Sequence, residues 1–308
     1  MAFSNNNLEM SGALVAPTKV SKLLGLGFLL VCVLPFVVAW DSTKYLFTLV
    51  IYNETFSQIP LIPVVSAFLI YGDRKRICSA ISFWWILGAA LITPGVILVF
   101  VARLNVWHLD STNQAALVVF AAVFVWIGAF ALFWGPHAFR AACFPLLFLL
   151  FAIPIPEPIL SKVIFLLQKG SSDAAEMFFR LDGVPYLRQG FIFQLPGVAI
   201  RVAEECSGIR STLALLITTV LAGHLFLKSS WKKLLLCAVV IPLAILKNGL
   251  RIMTLSTLAI YVNPGFLRGD LHKHGGIVFF VIALVPLAFL LMWLQKSEIP
   301  RSSAPAGS

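Results

Sequence analysis

Long apolar runs alternate along the chain with short polar segments that hold many of its basic residues. A helix needs about 20 apolar residues to cross the hydrocarbon core of a bilayer. The runs lie near 22–40, 59–72, 80–101, 114–134, 138–155, 208–226, 234–260 and 276–294. The pattern predicts an all-α polytopic membrane protein with about eight transmembrane helices. We expect the first run to remain as an anchor, because no small-residue cleavage site follows it.

The stretch 156–207, between the fifth and sixth runs, has a different pattern. Apolar residues recur at helical spacing through 159–168, which predicts an amphipathic surface helix, and a second short helix is predicted over 171–181. Residues 191–195 and 198–203 are rich in β-branched and aromatic side chains, and Pro196-Gly197 separates them. This predicts a small β-hairpin or meander. The sequence therefore predicts an external insertion of amphipathic helix and β-hairpin before the sixth span.

Composition supports this assignment. Of 308 residues, 60% are hydrophobic and 12% are charged, whereas soluble domains have roughly 45–50% apolar and about 25% charged residues. We expect one transmembrane domain over 21–295, between a disordered N-terminus (1–20) and a disordered tail (296–308).

The distribution of basic residues predicts an orientation. Clusters at 74–76 and 228–233 would face the cytoplasm under the positive-inside rule, with both termini. The segments 41–58, 102–113, 156–207 and 261–275 would then face outward. The net charge of +10 is typical of loops that contact anionic lipid, so we expect membrane lipid as a partner and no nucleic acid.

Polar residues that can carry chemistry meet at the outer face of the last three predicted spans. Cys206 precedes the sixth span, and Asn248 and Arg251 share one face of the seventh. His272 and His274 stand at the entry to the eighth. The odd number of five cysteines, without a CxxC pair, argues against a disulfide framework or a zinc site.

These residue types suit acyl transfer. A nearby cation favours the nucleophilic thiolate of a cysteine, and a histidine carries the proton to the leaving amine. A guanidinium stabilises an oxyanion. Each residue also has a structural interpretation: a buried cysteine, an arginine reaching the interface, or a histidine contacting headgroups. Their arrival on one side of the membrane favours a site, for which we predict no cofactor and no metal.

Three segments, "EECSGIRS", "NGLR" and "HKHGG", resemble the signature blocks of the exosortase/archaeosortase family of membrane cysteine transpeptidases. The resemblance covers at least residues 140–294. It implies Cys206, Arg251 and His272 as catalytic residues, since the family's H-x-x-x-G block fits His272 with Gly276. Supporting positions would be Glu204, which lies two before the cysteine, together with Ser207, Asn248 and His274.

The resemblance also implies a substrate. Such enzymes cleave C-terminal sorting signals, made of a short Pro-containing motif, a transmembrane helix and a basic tail, on the outer face of the membrane. Cleavage would proceed through a thioacyl intermediate on the cysteine, which an acceptor nucleophile resolves. The bacterial branch, which we favour here, acts in the cytoplasmic membrane on exported proteins with a Pro-Glu-Pro signal, often in organisms that export polysaccharide.

Two other classes remain as alternatives. A transporter or channel component of polysaccharide export would line a substrate path with Arg251 and the histidines, and a scaffold would have no chemistry. Transporters often contain paired repeats and interrupted helices in matching positions. No repeat is evident in this sequence, and its polar residues gather at one face instead of the membrane midplane.

Overall fold

A computed structural model of the chain describes residues 19–79, 82–203, 207–263, 265 and 270–298. Short 3₁₀-helices cover Glu54–Phe56 and Leu149–Ala152. In chain order the α-helices are α1 (Lys19–Val38), α2 (Trp40–Tyr52), α3 (Leu61–Gly72), α4 (Arg74–Ile77), α5 (Trp85–Arg103), α6 (Ser111–Ala141), α7 (Cys143–Phe148), α8 (Glu157–Asp182), α9 (Ile209–Phe226), α10 (Ser230–Tyr261) and α11 (Asp270–Lys296).

The helices confirm an all-α polytopic membrane protein. Within the described ranges, six segments are long and apolar enough to cross a membrane: Glu54–Gly72, Trp85–Arg103, Ser111–Ala141, Ile209–Phe226, Ser230–Tyr261 and Gly276–Lys296. Two bent pairs raise the number to as many as eight. Helices α1 and α2 meet at 90°, and the Cys143–Ala152 segment meets α8 at 86°.

Three of the predicted external segments, 41–58, 102–113 and 156–207, meet at one end of the helix bundle, which we call the Ser207 end. Contacts between residues far apart in sequence join them there. These contacts are Arg103 Nη1 to the carbonyl of Val38, Tyr45 with Thr112 at 3.0 Å, the Glu157 N–H to Asn113 Oδ1 at 2.9 Å, and Arg210 with Glu54.

The segments that hold the basic clusters meet at the opposite end, which we call the Glu298 end. The N–H of Ser82 donates to the carbonyl of Trp134 over 3.4 Å. The ring of His224 stacks on Phe144 with centroids 3.5 Å apart. The Glu298 carboxylate also lies here, against the start of α10. The structure thus separates these segments from the three predicted external segments of the Ser207 end.

The fourth and fifth predicted spans are divided where the structure interrupts the helix. Helix α6 extends to Ala141 and is broken at Gly135, where φ is 81°. Gly135 lies in the gap between the predicted runs 114–134 and 138–155, although the second run is not one continuous helix. Between α6 and Ile153 the chain forms only α7 and a 3₁₀ turn. Prolines at 154, 156 and 158 remove backbone donors there and end the helix.

The insertion before the sixth span is one long helix followed by a three-stranded sheet. Helix α8 is continuous from Glu157 to Asp182, where we expected two separate helices. Strands β1 (Leu187–Gln189), β2 (Ile192–Leu195) and β3 (Val198–Arg201) form an antiparallel meander. The turn between β2 and β3 contains Gly197 at φ 77°, which confirms the predicted Pro-Gly turn.

Helix α10 joins the bundle to this insertion. Its 32 residues measure about 48 Å, against a hydrocarbon core of about 30 Å. Its later turns therefore extend beyond the apolar layer. There Ile252 packs with Phe179, Phe193 and Val202 in a small core beneath the sheet. The insertion and the end of α10 form one unit, which we call the sheet subdomain.

Glu298, which follows α11, binds the residues at the start of α10. Its carboxylate accepts the N–H groups of Lys228 and Ser229, both at 2.9 Å, and lies 3.7 Å from the ammonium of Lys232. A carboxylate at a helix N-terminus also interacts favourably with the helix dipole. The two N–H donors hold the pKa of Glu298 below its ordinary value of 4.5.

Glu298→Gln should therefore lower the thermal unfolding midpoint of the detergent-solubilised protein at neutral pH. A depressed folded-state pKa contributes stability that is present above the unfolded pKa and lost as the pH falls through the folded value. The difference between wild type and variant should shrink below about pH 4.5. Asp41→Asn, the same charge change at an exposed carboxylate, is the control. An equal effect of both variants would contradict a specific role for Glu298.

Candidate active site

The segment before the cysteine is anchored on both sides. The N–H of Val202 donates to the carbonyl of Phe191 over 2.9 Å, which continues the β2–β3 pairing by one residue. The side-chain amide of Gln168, on α8, donates to the carbonyl of Val202. Val202 is itself buried. The chain therefore enters the cysteine block from a fixed position, whereas residues 204–206, with the predicted Glu204 and Cys206, lie outside the described residues.

The chain is fixed again directly after the cysteine. Ser207 is 1% exposed, and Gly208 adopts a left-handed conformation with φ 78° as α9 begins. A Cβ added at Gly208 would lie 3.1 Å from Oδ1 of Asn248. Because glycine has no Cβ, it adopts this left-handed conformation without strain, and it also allows α10 to approach closely. The contact joins the cysteine block to the Asn248 block.

Asn248 and Arg251 lie on the same side of α10, as the spacing predicts. Asn248 is 1% exposed, and Arg251 is half-buried. Each makes contacts in addition to those described here. The structure therefore places both predicted α10 residues at the Ser207 end, beside the residue pair that follows Cys206.

Two contacts at this site were not predicted from the sequence. Lys247 is 6% exposed and donates from Nζ to Oγ of Ser211, although its position suggests a side chain that reaches for the interface. Arg210 pairs with Glu54 across 2.5 Å on the surface. No local pattern in the sequence predicts either contact.

The predicted histidines belong to the first turns of α11. Because α11 begins at Asp270, residues 272 and 274 are helical. At 100° per residue they lie about 200° apart around the helix. Which of the two is the catalytic residue stays a prediction. Their side chains lie outside the described residues.

The heights of α10 and α11 can be compared. The ammonium of Lys232 donates to the carbonyl of Leu294 over 3.3 Å, which pairs the start of α10 with the end of α11. Arg251 lies nineteen residues after Lys232 on α10, and Gly275 lies nineteen residues before Leu294 on α11. Each is therefore about 28 Å from that contact along its helix. The turn of α11 with His272 and His274 is therefore level with Arg251. The other histidines with described contacts are elsewhere: His224 at the Glu298 end and His108 in the α5–α6 loop.

The arrangement is a partly buried polar site where the bundle meets the sheet subdomain. Two cationic side chains, Lys247 and Arg251, lie four residues apart and therefore on one side of α10. The described end of the cysteine block packs on the residue between them. Positive charge in surroundings poor in water stabilises anions strongly, so the site suits chemistry that passes through a thiolate or an oxyanion.

A protein-family model described as transmembrane exosortase matches residues 40–289. The match runs from the start of α2 into α11 and includes the segments around Cys206, Arg251 and His272. Searches of curated proteins and of solved structures found no match.

The contact between Gly208 and Asn248 can be tested by paired substitutions. Gly208→Ala and Gly197→Ala both force a side chain into a left-handed conformation, at a cost of about 1–2 kcal/mol each. The new Cβ has open space at 197 but meets Asn248 at 208. We therefore expect the larger fall in the thermal unfolding midpoint for Gly208→Ala. Equal falls would contradict close packing between the cysteine block and α10.

Proposed function

The chain belongs to the transmembrane exosortase family, and on that premise we propose that it is a membrane-embedded cysteine transpeptidase. It cleaves the C-terminal sorting signals of exported proteins. These signals consist of a short Pro-containing motif, a transmembrane helix and a basic tail. Cys206 forms the thioacyl intermediate, which passes to an acceptor nucleophile.

In the first half of the reaction the Cys206 thiolate attacks the scissile carbonyl. The developing oxyanion is stabilised by the guanidinium of Arg251. The C–N bond breaks as His272 gives a proton to the amine that leaves with the transmembrane helix. A thioester between the substrate and Cys206 remains.

In the second half the acceptor nucleophile attacks the thioester carbonyl. His272 takes its proton, and the Cys206 thiolate leaves. Lys247 and Arg251 place positive charge beside the cysteine block, which favours the thiolate form of the nucleophile.

The contact of Gly208 with Asn248 is the observation that carries this proposal. It joins the residues after Cys206 to the helix that holds Arg251. The equal heights of Arg251 and the start of α11 give further support. A transporter would place polar groups along a path through the membrane, whereas the described residues of the candidate site gather at the Ser207 end of the bundle.

We place the Ser207 end outside the bacterial cytoplasmic membrane and both termini in the cytoplasm. The Glu298 end holds the basic clusters 74–76 and 228–233, which the positive-inside rule assigns to the cytoplasm. The sheet subdomain then faces outward, where exported proteins present their sorting signals.

A reporter with a Pro-Glu-Pro motif, a transmembrane helix and a basic tail tests the function. Co-expression with the active chain should shorten the reporter, as seen by mass spectrometry. Cys206→Ser should abolish this shortening, because the hydroxyl is a far weaker nucleophile than a thiolate. Cys143→Ser, at an exposed cysteine of the Glu298 end, should process normally. Normal processing by Cys206→Ser would exclude thiol catalysis, and a transporter or scaffold would leave the reporter intact in every case.

Substitution of each histidine tests which one carries the proton. His272→Ala should reduce reporter processing by about 10²-fold or more, the range for losing a general acid–base group. His274→Ala should retain most activity, because the two residues face different sides of α11. Both variants should accumulate in the membrane at wild-type levels. The reverse pattern would move the proton carrier to His274, and full activity of both variants would exclude histidine catalysis at this position.

A further inference from the structure

Strand β3 has a free edge. The bond from the Val202 N–H to the Phe191 carbonyl places residues 191 and 202 opposite each other at a hydrogen-bonded position of the ladder. Such pairs recur at every second residue of an antiparallel ladder. In the observed register, 193 with 200 and 195 with 198 are then the bonded pairs. The backbone N–H and C=O groups of Ala199 and Arg201 therefore point away from β2.

This edge is open to solvent. Ala199 and Arg201 are both exposed, while Val198 and Ile200 turn toward the core beneath the sheet. Within the described ranges, no backbone hydrogen bond reaches the N–H or C=O of Ala199 or Arg201 beyond the ladder. Exposed edges invite an additional strand, and proteins usually block them with short strands, charges or a covering element. Among the residues that the structure describes, the short length of the strand and the charge of Arg201 are the features that oppose pairing.

The edge of β3 lies close in sequence to the proposed nucleophile, Cys206. Cys206 follows Arg201 by five positions, a distance of at most about 17 Å along an extended chain. Val202, between them, is held by Gln168 and Phe191. A strand paired with β3 therefore runs beside the chain that leads to the cysteine.

We propose that the free edge of β3 binds the substrate as an additional strand. This inference rests on the proposed function, and the occupant is the extended segment of the substrate that precedes its transmembrane helix. Backbone hydrogen bonds from an added strand supply affinity without requiring a fixed sequence. Pairing also holds the segment extended, so that its peptide bonds are accessible to the thiol.

The edge also determines which sequences fit. Only every second residue of the added strand bonds to β3, so proline at the intervening positions costs no hydrogen bond. The exposed cationic side chain of Arg201 lies on the solvent face of the sheet. It favours an acidic residue opposite it in the added strand. The edge therefore selects an extended peptide with an acidic residue and tolerates proline on alternate positions.

Disulfide mapping tests the pairing directly. In the full-length Cys206→Ala chain, which holds uncleaved reporter, Ala199→Cys is combined with single cysteines scanned through the reporter segment before its transmembrane helix. Side chains alternate between the two faces of a sheet. We therefore expect cross-links at every second reporter position. Moving the cysteine from Ala199 to Arg201 should shift the set of cross-linked positions by two.

A second arm measures the contribution of the edge to turnover. In the active chain, Ala199→Pro removes an N–H that points to the edge and leaves the β2–β3 bonds in place. Processing should fall about tenfold through a higher KM, the equivalent of one lost hydrogen bond. Ala199→Val keeps the N–H and suits a strand, so it should process normally. Membrane accumulation of both variants shows whether the chain folds.

The outcomes separate the two proposals. Processing by the active chain without alternating cross-links would overturn strand addition and leave the transpeptidase function in place. Cross-links between two copies of this chain, instead of with the reporter, would also overturn it and identify the edge as a dimer contact. No processing by the active chain would overturn the function, and the strand proposal with it.

Discussion

The close approach of α8 to α10 is the constraint on which the site depends. A Cβ added at Gly249 would lie 2.6 Å from Cβ of Ala174 and 3.0 Å from its backbone. Small residues at such a crossing let two helices pack at backbone distance, as is common in membrane proteins. Because α8 supplies Gln168 to the Val202 carbonyl, its position on α10 sets where the chain enters the cysteine block. A larger residue at 249 would displace this anchor.

Helix α10 connects three parts of the molecule. The Glu298 carboxylate contacts the start of the helix. Lys247 to Arg251 lie further along it, and its last turns form part of the core beneath the sheet. A movement of the sheet subdomain relative to the bundle would therefore act on the turn that holds Arg251. The candidate site lies where a membrane helix becomes the support of the sheet subdomain, which suits the proposed substrate with one soluble part and one transmembrane part.

Much of the fold was predictable because its signals are local. Hydropathy located most spans, and Pro196-Gly197 located the β2–β3 turn. The gap between the fourth and fifth predicted spans coincides with the break at Gly135, whereas the continuous helix α8 was predicted as two helices. For the site, the sequence predicted that Asn248 and Arg251 share a face, but not that Gly208 packs on Asn248 or that Arg210 reaches Glu54, 156 residues away. Such contacts depend on how the helices pack against one another, and a single sequence contains no pattern that predicts this packing.

Electrostatics gives a further reason to assign anionic chemistry to this site. Lys247 is buried with a neutral hydroxyl as its hydrogen-bond partner, and Arg251 lies one turn away. Burying one charge is costly, and two like charges on one helix face repel each other. Such an arrangement is stabilised by negative charge, and the sequence has two glutamates and a cysteine directly before Ser207. A path for a neutral sugar would gain nothing from this concentration of positive charge, whereas a thiolate and an oxyanion are both stabilised by it.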